Sequence, residues 1–297
     1  MLLLGNITSN YNLSLSKRDL AYVVRNTNVV INSGALVKHF GLKKDFEDAN
    51  VLGTENVVAF CKKYGKRLLH ISTVSVSGNG EKEEEIDLNP NNLSNKKVFT
   101  ENNLYIGQDL KNIYGITKFK GEIAVLEAIY DGLDAQVLRL GNITNRYSDG
   151  AFQKNIHDNA FAKRLKAYME IGAFPKYALG HELELTPVDL ASEAIIKILN
   201  YKSDCNMFHI MDPKLLPIPL LINASNELGA DIIPVSNRIM ADIITGILDD
   251  NNRKELVSGI INDLNKDKNL IYTSSIRLNC NFTENYLKNC RFSLEKN

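Results

Sequence analysis

Along the first half of the chain, short apolar runs alternate with stretches whose apolar residues recur at helical spacing. The runs Leu2–Leu4, Val29–Ile31, Arg67–Ile71 and Ala135–Leu140 are predicted strands. Predicted helices lie between them, over Lys17–Arg25, Phe46–Tyr64 and Asn112–Tyr130, and Ser16 followed by Asp19 marks the start of the first. Parallel strands need a crossover long enough to hold a helix, so this alternation predicts βαβ units and a largely parallel sheet. Beyond Asn142 the rhythm loosens. A helix is predicted over Ala151–Glu170, a strand end and a helix over Leu185–Asn200, and a short strand over Met207–Ile210. From Lys214 onward, helices mix with Asn- and Lys-rich turns in the manner of a cap closing over the sheet. Residues Gly78–Asn103, rich in Asn, Glu, Lys and Gly, form a long polar excursion, a type of loop that is often functional in compact domains.

The expected class is α/β: a Rossmann-like, doubly wound, mostly parallel sheet with a small mixed C-terminal cap. With no internal repeat or low-complexity linker, the expected division is composite. Residues 1–145 would form the core, and 146–297 a substrate-binding and cap region packed on it.

Composition narrows the function classes. Lys plus Arg and Asp plus Glu both number 35, so no net field draws the chain to nucleic acid or an anionic membrane. No apolar stretch approaches the ~18 residues of a transmembrane helix. The opening Met1–Asn6 is too short, and lacks the basic flank, for a secretory signal; it reads as a strand that begins abruptly. A cytoplasmic protein is expected. Cys61, Cys205, Cys280 and Cys290 are scattered without a Cys-x-x-Cys pair, which predicts free thiols and no metal site.

The candidate chemistry starts at Tyr114-Gly-Ile-Thr-Lys118, which puts a phenol and an ammonium on one face of a helix. A nearby cation stabilises tyrosinate, so the phenol can give its proton to a developing alkoxide. A chain with 12 Tyr should hold about one such pair by chance, and a surface pair on an amphipathic helix explains it equally well. Two further segments agree with the chemistry. His70-Ile-Ser-Thr-Val-Ser-Val-Ser-Gly78 ends a strand in hydroxyl residues where open α/β sheets bind ligands, although local turn bonds would also account for them. Val29-Val-Ile-Asn-Ser-Gly-Ala-Leu36 runs an apolar strand into small residues that let backbone approach a flat ring.

Taken in order, Asn-Ser-Gly-Ala (32–35), Ala-Asn-Val-Leu-Gly-Thr (49–54), Ile71–Gly78, Tyr114–Lys118 and Arg-Leu-Gly-Asn-Ile (139–143) resemble extended short-chain dehydrogenases/reductases. Gly141–Gln153 and Leu185-Thr-Pro-Val-Asp189 narrow the resemblance to the thioester reductase domains of nonribosomal peptide synthetases. It spans Asn6 to Leu199 and thins across the tail.

The resemblance implies a role for each matching residue. Tyr114 would be the proton donor, Lys118 its activator and ribose ligand, Thr73 the carbonyl-orienting hydroxyl, and Asn50 a brace from the neighbouring helix. Ser33, Gly34 and Ala35 would line the cofactor, Gly141, Asn142 and Ile143 would approach its nicotinamide end, and Asn6 would lie near the adenine in place of the family's usual Asp. The implied cofactor is NADPH, with NADH left open. The implied substrate is an acyl or peptidyl thioester on a phosphopantetheinylated carrier protein, released as aldehyde or alcohol. The excursion 79–103 and the helix 151–170 would serve carrier docking and substrate gating. Family members open with a strand and a Gly-x-x-Gly-x-x-Gly turn that cradles the pyrophosphate. No such turn precedes Asn6. The chain is therefore expected to start near the family's third strand, to leave the Val29–Ile31 edge open for pairing, and to hold NADPH weakly by itself. Two alternatives stay open: another extended dehydrogenase, such as a fatty acyl reductase or sugar-nucleotide epimerase, and a catalytically silent fragment or partner-binding module. Oligomeric state is not legible.

Overall fold

The structure, a computed structural model, describes residues 1–37, 41–78, 97–110, 112–156, 159–201, 203–250, 253–261, 264, 268 and 276–295. Helix α1 (Lys17–Asn26) starts as the sequence predicts: the Ser16 hydroxyl accepts from Asp19 N–H at 3.1 Å and donates to Asp19 Oδ2 at 2.8 Å. Strand β1 (Val29–Asn32) follows. A continuous helical run then divides into α2 (Lys43–Phe46), a π-helical turn (Glu47–Leu52) and α3 (Gly53–Tyr64), closed by Gly65 in the left-handed region. Next come β2 (Arg67–Thr73), β3 (Val98–Phe99), α4 (Ile113–Tyr130), β4 (Ala135–Leu140) and β5 (Ile143–Thr144).

The C-terminal half begins with α5 (Ala160–Ile171), β6 (Ala173–Pro175), β7 (Glu182–Leu183), β8 (Thr186–Pro187) and α6 (Val188–Asn200). It continues through β9 (Met207–Ile210), β10 (Leu216–Pro217), α7 (Ile218–Glu227), β11 (Ile233–Val235), α8 (Asn237–Asp249), β12 (Arg277–Leu278) and α9 (Asn281–Asn289).

The main sheet has the order β1-β2-β4-β9 and every pairing in it is parallel. Helices cover both faces, which makes it doubly wound. On one face Leu68 and Val137 pack against Val57, Phe60 and Cys61 of α3 and Val125 of α4. On the other, Leu69, Leu138 and Phe208 pack against Ala191, Ala194 and Ile198 of α6 and Leu287 of α9. The alternation of Leu68 with Leu69 and of Val137 with Leu138 is the period-two signature of strands buried on both sides. A separate apolar cluster joins Tyr168 of α5, Phe174, Ile222 of α7, and Met240 and Ile244 of α8. The mixed cap therefore has its own core.

Two expected elements differ. Leu2–Leu4 is not a strand: Leu2 is 97% exposed and Leu4 92%, and a strand requires a ladder partner that these residues do not have among the described ones. The helix expected from Ala151 starts at Ala160, where the Asn159 side chain accepts from Ala162 N–H at 3.0 Å. Most of the polar excursion, residues 79–96, lies outside the described residues. Among the described residues no helix is long and apolar enough to cross a membrane.

The registers bring Asn32 opposite His70, Thr73 opposite Leu140, and Leu140 opposite Ile210. The segments singled out in the sequence thus leave the sheet together at its carboxyl edge, where open α/β sheets take ligands.

Candidate active site

Helix α4 is set by Asn112, whose side chain accepts from Gly115 N–H at 2.6 Å. Its inward stripe is polar where it meets the carboxyl ends of the strands: Thr117, Lys118 and Glu122 are buried and Tyr114 is half-buried. Thr73 ends β2 and caps the short 3₁₀ turn Val74–Ser77 by accepting from Ser75 N–H at 3.1 Å. Its hydroxyl donates to Ser75 Oγ at 3.1 Å and lies close enough to the Tyr114 phenol to act on its pKa. Burial raises the Tyr114 pKa above the usual phenol value, against the opposing pull of Thr73. The Lys118 ammonium donates to Ile71 O at 2.7 Å, and burial draws its pKa down to about 8 while Glu122 works the other way. An ammonium has three N–H donors, so this bond does not exhaust it.

Behind Lys118 lies a network that the sequence reading did not single out. Glu122 and Arg139 are both fully buried side chains, paired at 2.7 Å through Nη2, with Arg139 Nε donating to Glu122 at 3.0 and 3.2 Å. The Ser72 hydroxyl donates to Glu122 at 2.5 Å, and Arg139 Nη1 donates to Asn103 O at 2.9 Å. Arg139 Nη1 also lies 3.1 Å from His209 Nε2. Burial and the guanidinium drive the His209 pKa down to about 3, which leaves Nε2 free to accept while Nδ1 faces Asn279 O at 2.8 Å. Two signals could have exposed this network: the stripe Tyr114–Lys118–Glu122 at helical spacing, and an Arg inside an apolar strand.

Asn50 is where the resemblance placed it, on the π-helical turn, and is 1% exposed. Its Oδ1 accepts from Leu36 N–H at 2.7 Å, and its Nδ2 donates to Leu36 O at 3.3 Å and to Thr117 Oγ1 at 3.0 Å. It therefore ties the end of the Ser33–Ala35 segment to α4. A Cβ on Gly121 would stand 3.0 Å from Asn50 O, so glycine lets α4 come this close. Asn50→Ala removes three hydrogen bonds around buried groups and is expected to cost about 1–3 kcal/mol. Urea unfolding at constant m-value measures that loss.

Ser33 and Gly34 are exposed and Ala35 half-buried just beyond β1, while Gly141, Asn142 and Ile143 follow β4. Asn6 lies beside this wall through its neighbour: the Ile7 side chain comes within 3.0 Å of where a Cβ on Gly34 would stand, and within 2.9 Å of one on Gly53. The Asn6 carboxamide oxygen accepts from Thr8 N–H and from its hydroxyl, both at 2.9 Å, and so serves a local turn. The donor set fits a nicotinamide and its ribose: an ammonium, a phenol, a hydroxyl and small-residue backbone, all at one sheet edge. The sequence has no Gly-x-x-Gly-x-x-Gly turn for a diphosphate.

The NAD-binding family described as male sterility protein matches residues 2–195. Glycine betaine reductase of Emericella nidulans is 28% identical over 234 residues, covering 78% of this chain and 17% of that protein. A linear gramicidin synthase polypeptide of Brevibacillus parabrevis is 24% identical over 223 residues, covering 74% of this chain and 4% of that protein. The chain thus spans a small part of either relative. Among solved structures, a thiolation-reductase di-domain from an archaeal nonribosomal peptide synthetase superposes with TM-score 0.76 at 27% identity. That match covers 98% of this chain and 58% of the di-domain.

Proposed function

The chain belongs to the male sterility protein family, within the extended short-chain dehydrogenases/reductases, and on that basis we propose that it reduces a thioester. The substrate is an acyl or peptidyl group on the phosphopantetheine arm of a carrier protein, the hydride donor is NADPH, and the product is an aldehyde or alcohol. The observation that carries this reading is the Thr73–Tyr114–Lys118 cluster at the carboxyl edge of the sheet. The thiolation-reductase and gramicidin synthase relatives support a carrier-bound substrate. Residues 1–145 hold the cofactor and the proton donor, and 146–297 shape the substrate side.

NADPH, when bound, supplies the hydride. Thr73 and Tyr114 present O–H donors to the thioester oxygen where negative charge develops, and preorganised donors of this kind give the largest share of such catalysis. Collapse of the tetrahedral adduct re-forms the carbonyl, breaks the C–S bond and releases thiolate. In a second round on the aldehyde, for which a second NADPH would supply the hydride, Tyr114 gives its proton to the alkoxide and Lys118 stabilises the phenolate left behind. Lys118 also offers its remaining N–H groups to the ribose hydroxyls.

A pH dependence follows. Lys118 is charged below about 8 and loses its proton above it, while Tyr114 is held protonated by burial. Reduction is therefore expected to be fastest below about 8 and to fall as pH rises through that value. Single-turnover rates across this range test it, and Lys118→Arg, which cannot deprotonate there, should abolish the falling limb.

A substrate panel tests the class. The reading predicts preference for carrier-bound thioester over acyl-CoA, and no change to UDP-sugars. Preferred reduction of acyl-CoA or epimerisation of a UDP-sugar would move the chain to another branch of the superfamily.

A further inference from the structure

After β4 the chain turns at Gly141, and a side chain from far along the sequence holds that turn. Glu184 lies between β7 and β8, and its residue is 6% exposed. Its Oε2 accepts from Asn142 N–H, and its Oε1 accepts from the Thr186 hydroxyl and, at 3.2 Å, from Asp212 N–H. The Asp212 N–H is shared with Thr186 Oγ1 at 3.0 Å. Two further bonds close the junction: the Asn142 side-chain amide donates through Nδ2 to Glu184 O at 3.0 Å, and Thr186 N–H donates to Asn142 O at 2.9 Å. A Cβ on Gly141 would overlap both carboxylate oxygens, so the carboxyl group occupies the space that glycine leaves.

One carboxyl group therefore ties together three segments: the exit of β4, the link between β7 and β8, and the exit of β9. Through β7, which pairs with β10, the same link runs into the C-terminal cap. Among the described residues no cation lies within ion-pair distance of Glu184. Its hold on the turn rests on N–H and O–H donors alone.

Taking Gly141–Ile143 as the nicotinamide-side wall of the reductase site, we propose that Glu184 is a positioning residue for the cofactor: its carboxyl group fixes the Gly141–Asn142 backbone against β9, and protonation of that carboxyl group loosens the fixation. The carboxylate offers acceptors to all three donors, whereas the acid form gives one oxygen over to a proton. Burial pushes the Glu184 pKa up to about 7, and the like charge of Asp212 adds to it, against the bonds from Thr186, Asn142 and Asp212. The other ionisable groups in reach are Asp212 itself, which faces Lys214 and Glu295, and Cys280 ahead of α9, which feels both Glu184 and Asp212. The acceptor set is complete above about 7 and weakened below it.

The test follows backbone amides by NMR in the full chain. The Asn142 and Asp212 resonances should move together through one transition near 7, and E184Q should remove the transition from both. T186V takes away a donor that favours the carboxylate and should shift the midpoint upward, which keeps the test sharp if E184Q folds poorly. E182Q, at an exposed neighbour, should leave the transition unchanged. In the same samples NADPH should perturb the Gly141–Ile143 amides, and E184Q should weaken NADPH affinity by about tenfold, the span of one unit in a binding exponent. Absence of the shared transition, or its persistence in E184Q, overturns the clamp. NADPH titrations that leave residues 141–143 unmoved, or equal affinity in E184Q, overturn the positioning role. If NADPH binds as expected but no thioester is reduced, the substrate reading fails and this one stands.

Discussion

Tyr114→Phe is expected to slow reduction by about 10²–10⁴-fold, the usual contribution of a positioned general acid. The ring stays, so the half-buried site beside Thr73 keeps its shape. In the proposed mechanism, what goes is the O–H that would supply the proton in alcohol formation and one of the two donors facing the oxyanion. Thr73 still offers its hydroxyl, so a residual rate is expected. In its proposed role the phenol meets only the transition state, so the loss should fall on the chemical step, with little change in apparent substrate affinity. Single-turnover rates with wild-type and variant chains read this directly. A loss below about tenfold would remove Tyr114 from the role of general acid.

Glu122→Ala should have the largest effect on stability, about 3–5 kcal/mol, because it strands the Arg139 guanidinium in a fully buried site. Against a typical total of about 5–15 kcal/mol, that is enough to populate unfolded chains. Ser72 would lose its acceptor as well. Replacing both partners separates stability from chemistry. Glu122→Leu combined with Arg139→Met removes both buried charges and is expected to recover most of the stability. It does not restore the negative charge that favours protonated Lys118, so the falling limb of the rate profile should move to lower pH in the double variant. Urea unfolding and rate profiles on the same proteins distinguish the two effects. A single variant within about 1 kcal/mol of wild type would mean that the pair does not anchor this region.

Much of the sheet is legible because its strands are apolar runs separated by helical spacing. Ala135–Leu140 and Met207–Ile210 are found where expected, and Arg67–Ile71 extends to Thr73. Leu2–Leu4 looks the same locally but has no ladder among the described residues, and pairing is not written in a single run. The π-helical turn at Glu47–Leu52 is hidden because it barely alters the apolar period of its helix. The stripe holding Tyr114 and Lys118 is visible because both belong to one helix. Glu122 with Arg139, and Glu184 with Asn142 and Asp212, join residues on separate elements. Only the packing of these elements on one another brings them together. Asn50 is legible through family resemblance alone, and the structure gives the physical reason for it, since its side chain joins Leu36 to Thr117.

Thr73, Tyr114 and Lys118 are proposed to assist hydride transfer to a carrier-bound thioester. The most direct measurement follows deuterium from NADPH labelled at the transferable position into product, with cofactor raised until the rate saturates. The expected product is an aldehyde or alcohol carrying deuterium on the former thioester carbon, formed by wild type and largely lost in Tyr114→Phe. An intact carrier thioester at every cofactor concentration, or equal deuterium incorporation by wild type and variant, would contradict that role.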